Sequence, residues 1–342
     1  GNGATLVFDG ADLLAGPDLD LEDALSVMEA GLYAGMYTNA LADLNDDGIP
    51  EVMSSGGYWS PMAVSIYDGK AVGLGGSFST GTAESILSHS TRVGGDVVGT
   101  TDFDGDGATD VMLSSLALTI LETGPDCSSG NANLYWAQGE DLTGGVIVKT
   151  ADLEAMKGDP CSGVTMGAVN DLNEDGYPEL LVADPSANGA DTFANGGVVY
   201  IINGDDLLDG GDIEDSATWT LQSSIGGAWL RVAHQSGDHD GNGTPDLLIG
   251  APGIFSVYTA SQGIVAPSSD NHLYWFKSET LGSGGTFTTA DASADFYHQT
   301  NGSGLGTSWA IGPIDSGDAV DDVAIGASTQ GTGGVFVFLS NF

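Results

Sequence analysis

Basic side chains are nearly missing: 342 residues carry six Lys plus Arg against 48 Asp plus Glu, for a formal charge of -42. Nucleic-acid recognition depends on Lys and Arg that neutralise phosphates and release counterions, so that class of partner is excluded. An anionic membrane surface repels such a chain for the same reason. Long apolar runs are missing too. The longest candidate, residues 111–121, is broken by Ser114, Ser115 and Thr119 and falls short of the roughly 18 residues that span a bilayer, so no membrane insertion is expected. The chain opens at Gly1 with no basic, apolar signal segment, which reads as a mature product or an excised domain. Helical periodicity is confined to residues 19–30 and 150–157. Cysteine is limited to Cys127 and Cys161, and composition alone leaves open a buried thiol pair or one disulfide.

Disorder is excluded by what remains, because 41% hydrophobic and 8% aromatic residues supply a sizeable core. The acids are patterned as well. Asp, a spacer, Asp or Asn, a spacer, Asp or Asn and then Gly recurs four times, each copy ending in an acid three residues after the glycine. The copies are Asp43-Leu-Asn45-Asp-Asp47-Gly48-Ile49-Pro-Glu51, Asp102-Phe-Asp104-Gly-Asp106-Gly107-Ala108-Thr-Asp110, Asp171-Leu-Asn173-Glu-Asp175-Gly176-Tyr177-Pro-Glu179 and Asp238-His-Asp240-Gly-Asn242-Gly243-Thr244-Pro-Asp246. A fifth, degenerate copy runs through Asp315, Asp318 and Asp322, one residue shorter and without the glycine in place.

The copies begin at 43, 102, 171, 238 and 315, a mean spacing of 68 residues, and each leads into a short apolar run such as Val111-Met-Leu or Leu247-Leu-Ile. Runs of four to eight residues rich in Val, Ile, Leu, Tyr and Trp, separated by Gly, Asn and Asp, are strand chemistry. The third unit predicts an inner strand before Asp171, a second at 180–182, a third at 198–202 and a fourth near 218–222. Four strands in each of five radial units make an all-β fold, a β-propeller of four-stranded antiparallel blades, five by loop count with six as the alternative. The single domain 1–342 then divides into units starting near 33, 93, 163, 228 and 305, with residues 1–32 supplying outer strands only. Pairing of the strand at 24–29 with the C-terminal blade would close the ring and leave the third-strand-like run at 5–8 surplus, able to join a neighbouring molecule's sheet edge.

Oxygen ligands at loop positions 1, 3 and 5 with glycine at 6 turn several carboxylates toward one point, an arrangement for a hard cation. Calcium, which takes six to eight oxygens at flexible distances, is completed by the carbonyl of position 7 (Ile49, Ala108, Tyr177, Thr244) and the acid at position 9. An EF-hand needs a bidentate Glu at position 12, where this chain has Ser54, Leu113, Val182 and Ile249.

These units resemble the FG-GAP repeats of the integrin α-subunit propeller and its bacterial relatives over nearly the whole chain. The closing element of that repeat is seen at Ile249-Gly250-Ala251-Pro252, Val182-Ala-Asp-Pro185 and Ile325-Gly-Ala-Ser328, and a weaker Phe-Gly element at Leu305-Gly306-Thr-Ser-Trp309 and Gly227-Ala-Trp229. The resemblance implies structural calcium between the first and second strands of each blade, hence four Ca2+ sites on the odd positions above and a fifth, departing site at Asp315, Asp318 and Asp322.

In such a blade the metal loops share one face, and the longer loops 114–130, 185–196 and 251–271 project from the other, where binding specificity resides. Cys127 and Cys161 fall on that second face, and a disulfide between them is expected, worth roughly 3 to 4 kcal/mol in the chain-entropy model. No zinc spacing is found among the five histidines, nor a nucleophile elbow, Walker loop or dinucleotide fingerprint. No enzyme is expected; a polysaccharide-active one has no motif behind it. The reading is therefore an extracellular or cell-surface module that binds protein or glycan on the face opposite the metal loops. The alternative is a subunit of an extracellular filament or surface layer, joined to its own copies through the N-terminal strand.

Overall fold

The computed structural model describes residues 4–9, 21–29, 38–56, 63–88, 96–115, 119–121, 124–126, 132–142, 146–149, 154–158, 162–163, 165–190, 195–207, 209–232, 236–253, 271–298, 305–306, 308–312, 320–327 and 334–338. They fall into two compact units, Gly1–Asp102 with Asp106–Ser115 and Leu134–Ala155, and Phe103–Gly105 with Leu116–Asn133 and Met156–Phe342. Both are built from sheets whose main strands pair antiparallel in chain order.

In the first unit, Thr38–Ala40, Val52–Gly56, Ala63–Tyr67 and Ser85–Ser88 pair in succession. Val97–Thr101 and Asp110–Ser115 begin the next sheet, followed by Ala132–Ala137. In the second unit the complete set is Thr165–Val169, Glu179–Asp184, Val198–Asn203 and Trp219–Gln222. Leu247–Ala251, Asn271–Phe276 and Ala294–His298 form another sheet, its inner strand reduced to the bridges Arg231 to Gly250 and Gly237 to Asp246. Ser308–Gly312, Asp322–Ala327 and Gly334–Phe338 form the last. The helix-like run at 19–30 holds the strand Ser26–Glu29, and the one at 150–157 overlaps the strand Glu154–Gly158, so sheet packing overrides local propensity at both.

Because side chains alternate across a strand, a strand buried on both faces feeds two cores. Leu247, Ile249 and Ala251 pack with Leu181, Val199, Ile201 and Trp219, while Leu248 packs with Leu273, Val323 and Ile325. Likewise Met53, Val64 and Ile66 pack with Val111, Leu113 and Tyr135, while Val52 and Tyr67 face Met28, Val7 and Phe78. Burying each such Leu, Ile or Val contributes about 1.5 to 3 kcal/mol, so the stacked sheet faces within each unit supply a large part of its stability.

One element was not foreseen in the sequence. Between the third and outer strands of a unit the chain forms a short segment that pairs in parallel with the outer strand of the preceding sheet. Gly76–Ser79 lies on Ser26–Glu29, Val146–Lys149 on Ser85–Ser88, Gly211–Asp212 on Met156 and Lys157, and Gly285–Thr288 on Trp219–Gln222. These straps cover edges that would otherwise present unpaired N–H and C=O groups. Short capped turns set their direction. Thr80–Thr82 leaves the first strap through a Ser79/Thr82 capping box, and Thr289–Asp291 leaves the last through Thr288 and Asp291.

The expected ring closure through residues 24–29 does not form. Ser26–Glu29 is bonded to Thr5–Val7 on one edge and to Gly76–Ser79 on the other, so neither edge is left for the C-terminal sheet. Nor is the run at 5–8 surplus: Thr5–Val7 stands to Ser26–Glu29 as every third strand stands to its outer strand, and the Thr5 and Ser54 hydroxyls meet at 2.9 Å.

Candidate metal centres

Each acidic loop links the first strand of a unit to the second, and its backbone repeats from copy to copy. Position 4 is left-handed in all four (Asp46 φ 59°, Gly105 73°, Glu174 62°, Gly241 74°), and so is the glycine at position 6 (Gly48 87°, Gly107 97°, Gly176 98°, Gly243 91°). Two left-handed residues flanking position 5 curl the loop around its odd side chains, and glycine at 6 avoids the cost an L side chain meets there.

The position 1 carboxylate organises the turn. Asp43 accepts the Asp47 and Gly48 N–H groups at 3.1 and 2.7 Å, Asp102 those of Asp106 and Gly107 at 3.2 and 2.8 Å, and Asp238 those of Asn242 and Gly243 at 3.1 and 2.8 Å. Asp171 accepts Gly176 N–H at 3.1 Å. The position 9 acid is sunk into the sheet: Glu51, Asp110, Glu179 and Asp246 are fully buried and Asp322 is 1% exposed. One of its oxygens accepts the position 2 N–H, from Leu44 at 2.5 Å, Leu172 at 2.7 Å and His239 at 3.2 Å.

A second support was missed in the sequence. After each third strand the chain turns at a small residue (Gly69, Gly139, Gly204 or Ser278), and a buried aliphatic follows three residues on (Val72, Leu142, Leu207 or Leu281). The Gly139 and Ser278 N–H groups donate to Asp110 and Asp246 at 3.3 and 3.0 Å. A Cβ on Gly69, Gly139 or Gly204 would collide with the carbonyl oxygen of loop position 8 (Pro50, Thr109 and Pro178). The recurring spacing of a small residue and an aliphatic after each third strand is the signal that could have revealed it.

Three loops gather three carboxylates with ligand atoms within 4.8 Å of one another: Asp102, Asp104 and Asp106; Asp171, Asp175 and Glu179; Asp238, Asp240 and Asp246. The first loop does not; there Asn45 Nδ2 donates to Glu51 at 2.9 Å and Lys70 Nζ to Asp47 at 3.3 Å. Asn45, Asn173 and Asn242 accept from the N–H two residues on, at 3.1, 3.0 and 2.7 Å. Of the fifth copy, Asp315 and Asp318 lie outside the described residues, as do Cys127 and Cys161; Asp322 opens the strand Asp322–Ala327 in the place of the other position 9 acids.

The donor set fits a hard cation, and the third loop makes the strongest case. Asp171 Oδ1 and Glu179 Oε1 are buried without a hydrogen-bond partner. A buried, unpaired carboxylate oxygen is costly unless a cation satisfies it. Burial, with repulsion from Asp175 and Asp171, pushes Glu179 up to about 8. Burial raises Glu51 and Asp246 too. A divalent ion at these points would supply the positive charge that these acids lack.

No family model matches the chain. It is 29% identical to integrin alpha-V of Gallus gallus over 237 residues, 65% of this chain and 20% of that protein. It is also 29% identical to integrin alpha-PS5 of Drosophila melanogaster over 164 residues, 46% of this chain and 15% of that protein. The aligned region thus spans a fifth or less of either relative, and the chain is similar, over that region, to integrin alpha chains.

Proposed function

We propose that this chain is a calcium-braced β-propeller that acts outside the cell or at its surface as a binding module for a protein or a glycan. Five loop-bearing repeats and an N-terminal sheet with third-strand and outer-strand equivalents count to six, which supports the larger of the two blade counts. The observation that carries the metal reading is the third loop, where two buried carboxylate oxygens lack partners in a loop whose backbone recurs in three others. Asp43, Asn45, Asp47, Glu51 and their equivalents in the other clean loops, with the carbonyls of Ile49, Ala108, Tyr177 and Thr244, would hold the ions, which supply charge balance to the loops. The loops at the opposite ends of the strands would carry the ligand. Similarity to two integrin alpha chains supports an adhesion-type role and a protein partner.

Equilibrium dialysis against calcium is expected to give at least four bound ions per chain, and chelator is expected to lower Tm. Each site filled at 100 times its Kd stabilises by about 2.7 kcal/mol, so four sites give a shift too large to miss. An unchanged Tm in chelator would defeat the metal reading. Glycan arrays and protein pull-downs in calcium that yield nothing would defeat the binding reading. For the filament alternative, Thr5–Val7 is paired with Ser26–Glu29 and stands at the edge of its described sheet, so it is an edge strand and not a free arm.

A further inference from the structure

We propose that two of the four clean loops carry a tethered ammonium that competes with the metal, giving the chain two classes of cation site. The loop at Asp171 fills first; those at Asp43 and Asp238 fill only as Lys70 and Lys277 are displaced. The inference rests on the calcium reading above and names the regulation of those same sites.

Only six basic side chains serve 342 residues, yet two of them sit on acidic loops. Lys277 Nζ donates to Asp240 Oδ2 at 2.8 Å and lies 5.0 Å from the centre of the Trp275 ring. Lys70 Nζ donates to Asp47 Oδ2 at 3.3 Å. Both lysines come from the turn after the third strand, on either side of its small residue, Gly69-Lys70 and Lys277-Ser278.

The same turn in the other two units carries no cation: Gln138-Gly139-Glu140 and Asn203-Gly204-Asp205. Asn203 Nδ2 donates to Asp175 at 2.6 Å. An amide can turn its oxygen toward an arriving ion, whereas an ammonium has no lone pair to offer and must leave. Each lysine therefore satisfies one ligand carboxylate without the metal and repels the metal when it comes. Lys277 is the stronger guard, with the shorter bond and a side chain 38% exposed, against 59% for Lys70.

The test is a calorimetric titration of the whole chain with calcium chloride at fixed ionic strength. The wild type is expected to show a tight step from the Asp171 loop and two weaker steps from the Asp43 and Asp238 loops. Lys277→Met is expected to tighten one weak step roughly tenfold, through the lost ion pair and the lost repulsion, and Lys70→Met to tighten the other by roughly threefold. Lys157→Met, on the outer strand Glu154–Gly158, removes the same charge and is expected to leave the steps where they were. Four equal sites in the wild type, unmoved by Lys277→Met, would overturn the guard and leave the calcium reading standing. A weaker fourth loop in Lys277→Met would overturn it too, by making the lysine a support. No calcium binding by the wild type would instead fail the underlying reading. If Lys277→Met does not fold by near-UV circular dichroism, Lys70→Met decides by the same criteria.

Discussion

Replacing Glu179 by Gln separates what this carboxylate does as a ligand from what it does to the metal-free fold. Glu179 is fully buried, its ordinary value is 4.5, and its surroundings raise it to about 8. A folded-state value above the unfolded one means that the native state holds the proton more tightly. Its contribution to stability is thus complete below about pH 4.5 and is lost as pH rises toward 8. At 1.36 kcal/mol per unit, a gap of roughly 3.5 units amounts to about 5 kcal/mol lost between pH 4 and pH 9. Calcium removes the penalty by taking the proton's place, so filling this loop at pH 7 should release most of one proton. Gln keeps the shape and has nothing to ionise. In chelator at pH 9, Glu179→Gln is therefore expected to melt several degrees above the wild type, the two converging near pH 4. In calcium the order reverses, because the variant has lost a ligand. Scanning calorimetry at pH 4, 7 and 9, with and without chelator, reads the difference between the two proteins. General repulsion among the other acids acts on both and cancels. Calcium titrations in buffers of different ionisation heat count the released proton. A variant less stable than the wild type in chelator at pH 9, or a binding heat independent of buffer, would refute the reasoning.

Two further substitutions test the scaffold around the loops. Asp46→Gly relieves a left-handed aspartate at a position that is glycine in the second and fourth loops, and is expected to stabilise the protein by roughly 0.5 to 1 kcal/mol in thermal melts. Gly204→Ala drives a Cβ to 2.5 Å from the Pro178 carbonyl oxygen and 2.6 Å from that of Phe103, so it should cost about 2 kcal/mol and weaken calcium binding at the third loop, with no comparable change in the others.

The acidic loops were legible because ligand spacing is a local property. Asp171, Asn173, Asp175 and Gly176 lie within six residues and must curl together whatever surrounds them. The third strands were equally plain, since buried runs such as Val198–Asn203 need continuous apolar character. The straps escaped notice because a segment such as Gly76-Ser77-Phe78-Ser79 has one large apolar residue and takes its partner from another sheet. A signal was present in the glycine pairs Gly75-Gly76, Gly144-Gly145, Gly210-Gly211 and Gly284-Gly285, one at the start of each strap. The described pairs have positive φ at both residues, where glycine is favoured. Ring closure was misjudged for a related reason: counting strands per unit could not reveal that Ser26–Glu29 already had two neighbours. The guarding lysines were invisible as well, because Lys277 lies 37 residues from Asp240 and meets it only across the sheet.

The straps make shortening the chain an asymmetric operation. Among the described residues, four sheets take the cover of their outer edge from the unit that follows, and each does so in the same chain direction. Trimming whole units from the N-terminal side leaves the straps of the remaining units in place, whereas a cut on the C-terminal side of one of these four sheets strips it to a bare outer strand. Fragments of the second kind should stick to one another through that strand, and those of the first should stay apart. A stable fragment that stops early would have to carry the third strand and strap of the next unit beyond its last complete sheet.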